Sequence, residues 1–226
     1  RILGGGAREA LERIPGWSVT LATDAYGRPA LQPCPNSPEF RQWLTASVED
    51  MVRRYEIDGI QYGAERSGPL PELLLGRGEP VCFCERCRDI AARKGIDGEQ
   101  AAAGFRELDR QLREWREGEA PFDGYFVTVL RTLLEYPAML AWESFYNESI
   151  ESLTAVVYGL VKRMKSSLHV GAHVLHRSAI FDFFYRAETD YAKVADSCDW
   201  IKPLLDHDGA GALVRDLFVE SMENTL

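Results

Sequence analysis

The chain has 226 residues, of which 46% are hydrophobic, and a formal net charge of −9. This length supports one large core and is slightly shorter than a typical (β/α)8 barrel of about 250 residues. An acidic chain is a poor partner for nucleic acid, whose phosphate backbone attracts a basic surface. No apolar run approaches the roughly 20 residues that cross a bilayer. We therefore expect neither nucleic acid nor membrane as a partner, and the sequence leaves a homo-oligomer open.

The cysteine content indicates a reducing compartment. There are five cysteines, and three of them fall within the six residues 82–87. An odd number packed this closely is unlike a secreted disulfide framework and is typical of metal binding. We therefore expect a cytoplasmic protein. Residue 1 is not Met, and Arg1–Arg13 has the apolar spacing of a helix interior, so we expect a trimmed chain that lacks its original targeting signals.

Strand and helix patterns alternate through the first part of the chain. A short apolar strand is predicted at Trp17–Thr23. Large apolar residues then recur at helical spacing, and a proline follows Asn36-Ser37, which predicts a helix from Pro38 to Tyr55. The next strand is predicted at Ile57–Gly63 and is followed directly by Ala64-Glu65.

The segment 66–140 is too long for an ordinary connection between a strand and a helix. It contains the clustered cysteines and a charged helix near Gln100–Arg116. We interpret it as an excursion from the main fold. Beyond it, the pattern predicts a helix at Trp142–Lys165, a strand at Leu168–Leu175, a short helix at Tyr191–Ala195 and a strand at Trp200–Leu205.

This alternation favours a parallel α/β architecture. The predicted fold is a (β/α)8 TIM-type barrel that is incomplete in this chain and has a long insertion after one strand. The strand patterns account for roughly half of such a barrel. A single barrel domain would then cover residues 1–226, with the excursion at 66–140 carrying the metal-binding cysteines.

The clearest chemical motif is Cys82-Phe-Cys84-Glu-Arg-Cys87. Thiolates at these spacings can converge on one ion, and Zn²⁺ takes four such ligands in a tetrahedron. The fourth ligand must come from elsewhere in the chain. Cys34 is the candidate, because in a barrel its loop would lie beside the loop that leads to the cluster. The alternative is a set of unrelated buried or disulfide-linked cysteines, and Cys198 is predicted to be a buried free thiol.

The order of these features resembles a known enzyme family. The chain contains, in order, Cys34-Pro-Asn-Ser-Pro38, a helix, a strand that ends in Glu, and then Cys-x-Cys-x-x-Cys. In this order it is similar to the β-galactosidases of glycoside hydrolase family 42 and to related hypothetical glycosyl hydrolases. The resemblance covers Cys34 to about Arg88. It implies that Glu65 is the acid/base. It also implies a structural zinc site formed by Cys34, Cys82, Cys84 and Cys87. The family has Asn-Glu where this chain has Ala64-Glu65, and no residue here matches the family's nucleophile.

Two carboxyl groups are candidates for catalysis on chemical grounds as well. Active sites of such barrels lie at the carboxyl ends of strands, where Glu65 is predicted. Glycoside hydrolysis requires a second carboxyl group, and one of the two must stay protonated, which partial burial can arrange. Asp206, at the end of another predicted strand, is the candidate. The structural alternatives are a surface salt bridge for Glu65 and a capped loop for Asp206.

Substrate binding is predicted at the same strand ends. His173 and His176 flank the end of one strand and suit hydrogen bonds to sugar hydroxyls, although structural histidines are an equal alternative. Aromatic faces stack on pyranose rings, which adds Tyr62 to the candidates. The full predicted set is His173, His176, Tyr62 and His207, and Trp142, Glu143 and Tyr185 are further candidates for a sugar platform.

We therefore predict an O-glycosyl hydrolase that cleaves a carbohydrate substrate with paired carboxylates and carries a structural zinc ion. Two alternatives remain open. The first is a metal-dependent barrel hydrolase with an open metal position, using His173, His176, Asp206 and His207. The second is a carbohydrate-binding relative without catalysis, which the missing Asn before Glu65 keeps open.

Overall fold

The computed structural model describes residues 11–63, 68–74, 76, 78–174, 187–203 and 211. Its strands are β1 (Leu21–Thr23), β2 (Pro29–Pro33), β3 (Gly59–Gly63), β4 (His169–Val174) and β5 (Trp200–Pro203). Its helices are α1 (Pro38–Arg54), α2 (Pro69–Leu74), α3 (Glu85–Arg93), α4 (Gly98–Arg116), α5 (Tyr125–Glu135), α6 (Ala138–Met164) and α7 (Tyr191–Ala195). A 3-10 helix at Trp17–Thr20 precedes β1.

The strands form two separate sheets. β3, β4 and β5 pair in that order as a parallel sheet, and β1 and β2 form a two-stranded antiparallel sheet. The predicted (β/α)8 barrel is therefore wrong: the described residues contain five strands and no eight-stranded closed sheet. The described part of the chain is a mixed α/β fold in which three strands pair in parallel.

The error begins at the predicted strand Trp17–Thr23. Its first four residues form the 3-10 helix, and only Leu21–Thr23 is extended. A tight turn with Gly27 at φ 82°, a conformation that suits glycine, then leads into β2. Parallel strands require a crossover of about a dozen or more residues, so this short connection permits only antiparallel pairing. β2 escaped prediction because proline, a poor strand residue, stands at each of its ends.

Local signals placed most of the other elements correctly. Ser37 caps α1 by accepting a hydrogen bond at Oγ from Phe40 N at 3.2 Å, and Pro38 occupies the first turn. Phe40, Leu44 and Val48 form the buried stripe that predicted this helix. The predicted helix at Trp142–Lys165 is confirmed within α6, which begins four residues earlier than predicted. No helix in the described ranges combines the length and the apolar character that a membrane crossing requires.

Contacts along the chain define two compact units. The first comprises the described residues of Arg1–Ala22, Ala30–Arg66 and Asn147–Leu205. Its core lies between the parallel sheet and the helices α1 and α6. The buried side chains that form it are Trp17, Phe40, Leu44, Val48, Leu153, Val157, Leu160, Val161, Leu168 and Val170.

The second unit comprises the described residues of Thr23–Pro29, Ser67–Tyr146 and Asp206–Leu226. It is mainly helical and includes α2 to α5 together with the start of α6. Phe83 stacks on Trp142 with ring centroids 4.5 Å apart and contacts Phe105 edge to face at 5.7 Å. This aromatic group holds the segment that carries the clustered cysteines.

Candidate metal centre

The cysteine segment enters the second unit in an extended conformation and then turns into α3. Phe83 N donates a hydrogen bond to Thr23 O at 2.6 Å, and Thr23 N lies 3.5 Å from Cys82 Sγ. Cys84 occupies the N-cap position of α3, and Cys87 lies in its first turn. Backbone N–H groups and the positive end of a helix both favour the thiolate form of cysteine. The segment therefore places Cys82 beside a backbone N–H group, and Cys84 and Cys87 at the start of a helix.

Phe83 anchors the chain between Cys82 and Cys84. Its ring is buried against Trp142 and Phe105. The same packing corrects one prediction: Trp142 is completely buried and cannot serve as a sugar platform. Its neighbour Glu143 is also buried, and its Oε2 accepts a hydrogen bond from Leu70 N at 2.9 Å.

The loop that carries Cys34 is held by its own hydrogen bonds. Cys34 N donates to Thr20 O at 2.7 Å, and Asn36 N lies 3.4 Å from Cys34 Sγ. Arg41, on α1, donates from Nε to Pro35 O at 2.7 Å. Asn36 Nδ2 also donates to Ser149 Oγ on α6 at 3.0 Å, so the loop is fixed to both helices.

The four predicted thiols lie together. The sulfur atoms of Cys34, Cys82, Cys84 and Cys87 are all within 4.8 Å of one another, and none is in a disulfide. Three of these residues are buried, and Cys84 is half-buried. These four cysteines could hold a metal ion. Cys198 is a buried free thiol, as predicted, and its Sγ donates to Val194 O at 3.3 Å.

Arg41 adds a positive charge near the Cys34 loop. Burial lowers the pKa of its guanidinium, and the interaction with Cys34 acts in the opposite direction. Arginine stays protonated throughout the ordinary pH range, so the charge is permanent. Arg41 gave no signal in the sequence, because it occupies one of the polar positions of an amphipathic helix.

A buried carboxylate, also missed, fixes the turn between β1 and β2. Asp24 Oδ1 accepts hydrogen bonds from Tyr26 N at 2.9 Å and Arg28 N at 2.8 Å, and Oδ2 accepts from Arg28 Nε at 2.7 Å. Burial raises the pKa of Asp24, but these hydrogen bonds outweigh it and leave the pKa below its ordinary value. Because Ala25 N also donates to Pro80 O at 3.0 Å, the turn is attached to the chain just before Cys82. Aspartate is common in turns, so the sequence does not show that Asp24 is buried and holds this turn together.

The predicted sugar site is only partly within the described residues. Tyr62 and His173 lie near the carboxyl ends of the neighbouring strands β3 and β4, where Gly63 and His173 are register partners. Four predicted site residues lie outside the described residues. They are the predicted catalytic residues Glu65 and Asp206 and the predicted substrate contacts His176 and His207. Tyr185 also lies outside the described residues.

Tyr62 and His173 line a common small cleft of about 60 Å³. Glu151 and Thr154 of α6 and Lys193 of α7 contribute to the same lining. Tyr62 donates its hydroxyl to Ser197 O at 2.7 Å, and burial raises the pKa of its phenol. This hydrogen bond gives Tyr62 a structural role whether or not a ligand enters the cleft.

Comparison of the chain with protein-family models, curated proteins and solved structures gave no match.

Proposed function

We propose that this chain binds one Zn²⁺ through the thiolates of Cys34, Cys82, Cys84 and Cys87, and that the ion is structural. The observation that supports the proposal is the mutual distance of the four sulfur atoms, all within 4.8 Å. In a regular tetrahedron with Zn–S distances of about 2.3 Å, neighbouring sulfur atoms are about 3.8 Å apart. The thiols are therefore close enough to bind with small side-chain movements.

The donor set also fits a structural role. Four thiolates fill the tetrahedron and leave no open position, whereas a catalytic zinc ion keeps one position for water or substrate. Three of the four cysteines are buried. A bound ion would neutralise part of the thiolate charge and connect the Cys34 loop to the segment before α3.

The test is to purify the chain without added metal and to measure zinc per chain by elemental analysis. We expect about one zinc ion per chain, released when the thiols are titrated with a mercurial reagent. A Cys34→Ser variant should lose most of this zinc. Cys198→Ser is the matched control, because Cys198 lies outside the four-cysteine group, and it should retain the metal.

Two results would overturn the proposal. One is a purified chain that contains neither zinc nor affinity for added Zn²⁺ while all its thiols are reduced. The other is iron at one ion per chain with the visible absorption of iron–thiolate bonds, because a four-thiolate site also suits iron.

A second function rests on the parallel sheet. We propose that the chain is a glycoside hydrolase that uses Glu65 as the acid/base and Asp206 as the second carboxylate. Glu65 follows β3 by two residues in the chain, and Asp206 follows β5 by three. Carboxyl ends of parallel strands lie at one edge of a sheet, and ligands of open α/β sheets bind outside that edge. Tyr62 and His173 lie near the same edge and are the proposed contacts to substrate, with His176 and His207.

The test is hydrolysis of aryl glycosides by the parent chain and by Glu65→Gln. We expect turnover to fall by at least about 100-fold for a poor leaving group and by less for a very acidic one, which needs little protonation. Glu56→Gln, which removes an exposed carboxylate before β3, is the matched control. Equal hydrolysis by the parent chain and Glu65→Gln, or no hydrolysis of any aryl glycoside by the parent chain, would overturn this assignment.

A further inference from the structure

The two faces of the parallel sheet differ in character. Register partners share a face, so Ile60 lies beside Val170, and Tyr62 beside Ala172. This face is apolar, and Val170, Ile60 and Tyr62 belong to or pack against the core between the sheet and the helices. The opposite face carries the alternate residues of each strand. These are Gly59, Gln61, Gly63, His169, Gly171, His173, Trp200 and Lys202.

Trp200 lies on this second face with its ring against the backbone of the next strand. A Cβ atom built on Gly171 would lie 2.1 to 2.3 Å from three atoms of the six-membered ring of Trp200. Only glycine leaves room for the ring at this position. Trp200 nevertheless remains 40% exposed, whereas Trp17, Trp115 and Trp142 are buried. One side of the indole rests on the sheet, and the ring is accessible to solvent.

Polar side chains surround the exposed indole. Gln61 is in register with Gly171, which in turn is in register with Trp200, so the three residues form one row across the sheet. Gln61, His169 and Asp58 line a shallow groove of about 460 Å³ together with Trp200. The side chains of Gln61 and His169 are exposed and can donate and accept hydrogen bonds.

We propose that this groove is a second carbohydrate-binding site, which takes a neutral pyranose ring stacked on Trp200. The C–H face of a pyranose is apolar and flat, and an indole fixed from behind offers the matching surface. The hydroxyl groups around the ring edge require donors and acceptors at the side, which Gln61, His169 and Asp58 supply. A phosphate-bearing ligand is disfavoured, because Asp58 lines the groove and the chain carries a net charge of −9.

The site is distinct from the proposed catalytic site and does not depend on it. His169 and Trp200 are the first residues of β4 and β5, so the groove lies toward the amino ends of the strands. The proposed catalytic residues follow the carboxyl ends. A sugar held at this groove would tether a longer glycan to the protein without being cleaved there.

The test measures sugar binding to the full chain by calorimetry and saturation-transfer NMR. The probes are methyl β-D-galactopyranoside, lactose, cellotriose and mannotriose. We expect at least one probe to bind with a dissociation constant on the order of 1 mM. Trp200→Ala should weaken that binding by about tenfold or more, and Trp200→Phe by less, because a ring remains to stack. Gln61→Ala should weaken binding without disturbing the indole.

Leu134→Ala is the control, since it removes an exposed apolar side chain of α5 and should leave sugar binding unchanged. Turnover by Glu65→Gln and sugar binding by Trp200→Ala are separate measurements, so failure of the catalytic proposal and failure of this site are distinguishable. The proposal is overturned if no probe binds saturably up to about 50 mM, or if Trp200→Ala and Gln61→Ala both bind as the parent does. Binding of adenosine without binding of any sugar would assign the groove to planar rings and overturn it too.

Discussion

The core beneath the parallel sheet and the cysteine segment are stabilised by different physical means. The sheet core is a continuous set of apolar side chains from α1, α6 and β4, whose burial is non-directional and tolerant of small shifts. The cysteine segment buries the large aromatic side chain of Phe83 and is also held by directional hydrogen bonds to Thr23 and Ala25. Under the zinc proposal, the metal supplies what apolar burial does not.

The two regions are therefore destabilised by different kinds of substitution. Removal of a methyl group costs most in the sheet core, where neighbours cannot fill the space that is left. Removal of a single charge or ligand costs most around the cysteines, where each directional contact has no substitute. Perturbations of one kind should therefore affect one region and spare the other.

Metal removal should have the largest effect. Structural zinc contributes apparent free energies of about 10–16 kcal/mol in small zinc domains at neutral pH, so its extraction should unfold the segment that it holds. After chelation we expect rapid amide hydrogen exchange in residues 78–93 and unchanged protection in β4 and the second half of α6. Mass spectrometry of the exchanged peptides makes the measurement. Equal loss of protection in both regions would show that the metal does not stabilise the cysteine segment separately from the sheet core.

Truncation in the sheet core should have the next largest effect. Leu153 is only 2% exposed and lies among the core side chains of α6, so Leu153→Ala should lower the free energy of unfolding by about 2–5 kcal/mol. Val156→Ala on the same helix is the control, since Val156 is 37% exposed, and should cost less than about 1 kcal/mol. Urea denaturation measures both. The zinc content of either variant should stay at the parent level. A loss of metal from Leu153→Ala would show that the sheet core and the cysteine segment do not respond independently.

A smaller effect is expected at Asp24. Asp24→Ala would leave Tyr26 N and Arg28 N without their acceptor, which should cost about 1–3 kcal/mol. Asp24→Asn keeps a carbonyl oxygen at the same place and should cost less. Because this turn is bonded to the chain before Cys82, Asp24→Ala should also speed the extraction of zinc by a chelator. If unfolding and extraction rates both match the parent, the turn does not support the metal site.

The smallest effect should be a pH dependence at the amino ends of the strands. Asp199 Oδ2 pairs with Lys162 Nζ at 2.6 Å and accepts from Val170 N at 2.8 Å, and these contacts lower the pKa of Asp199, the Lys162 hydrogen bond most strongly. A lowered folded-state pKa gives stability that is present above the unfolded value of about 3.9 and is lost as pH falls through the folded value.

The parent should therefore exceed Asp199→Asn in stability at pH 7, by about 1 kcal/mol or less for a partly exposed pair. That advantage should shrink as the pH falls below about 4. Urea midpoints of the two proteins, measured from pH 7 down to pH 3, give the difference. An advantage that does not change with pH would show that charge on Asp199 is unimportant.

The sequence was sufficient for most of the local elements and for three of the four clustered cysteines. The helix from Pro38 is marked by its cap and by the spacing of Phe40, Leu44 and Val48, all of which are local properties. The cysteines at 82, 84 and 87 are grouped by chain spacing alone. Cys34 was added to the group by loop position in a barrel that the structure does not contain, yet its sulfur lies with the others.

Sequence patterns alone therefore predicted α1, α4, α6, α7, the three strands of the parallel sheet and a group of cysteines suited to metal, because these depend on periodicity and on side-chain chemistry within a few residues. They did not predict α2, α3 and α5. Tertiary structure alone decided that β1 pairs with β2, that Trp142 is buried while Trp200 is exposed, and that Asp24 bears the turn. Each of these depends on which distant side chains fill the surrounding space. No periodic pattern encodes that, since an aromatic residue or a carboxylate is equally compatible with a core, a turn and a binding surface until its neighbours are known.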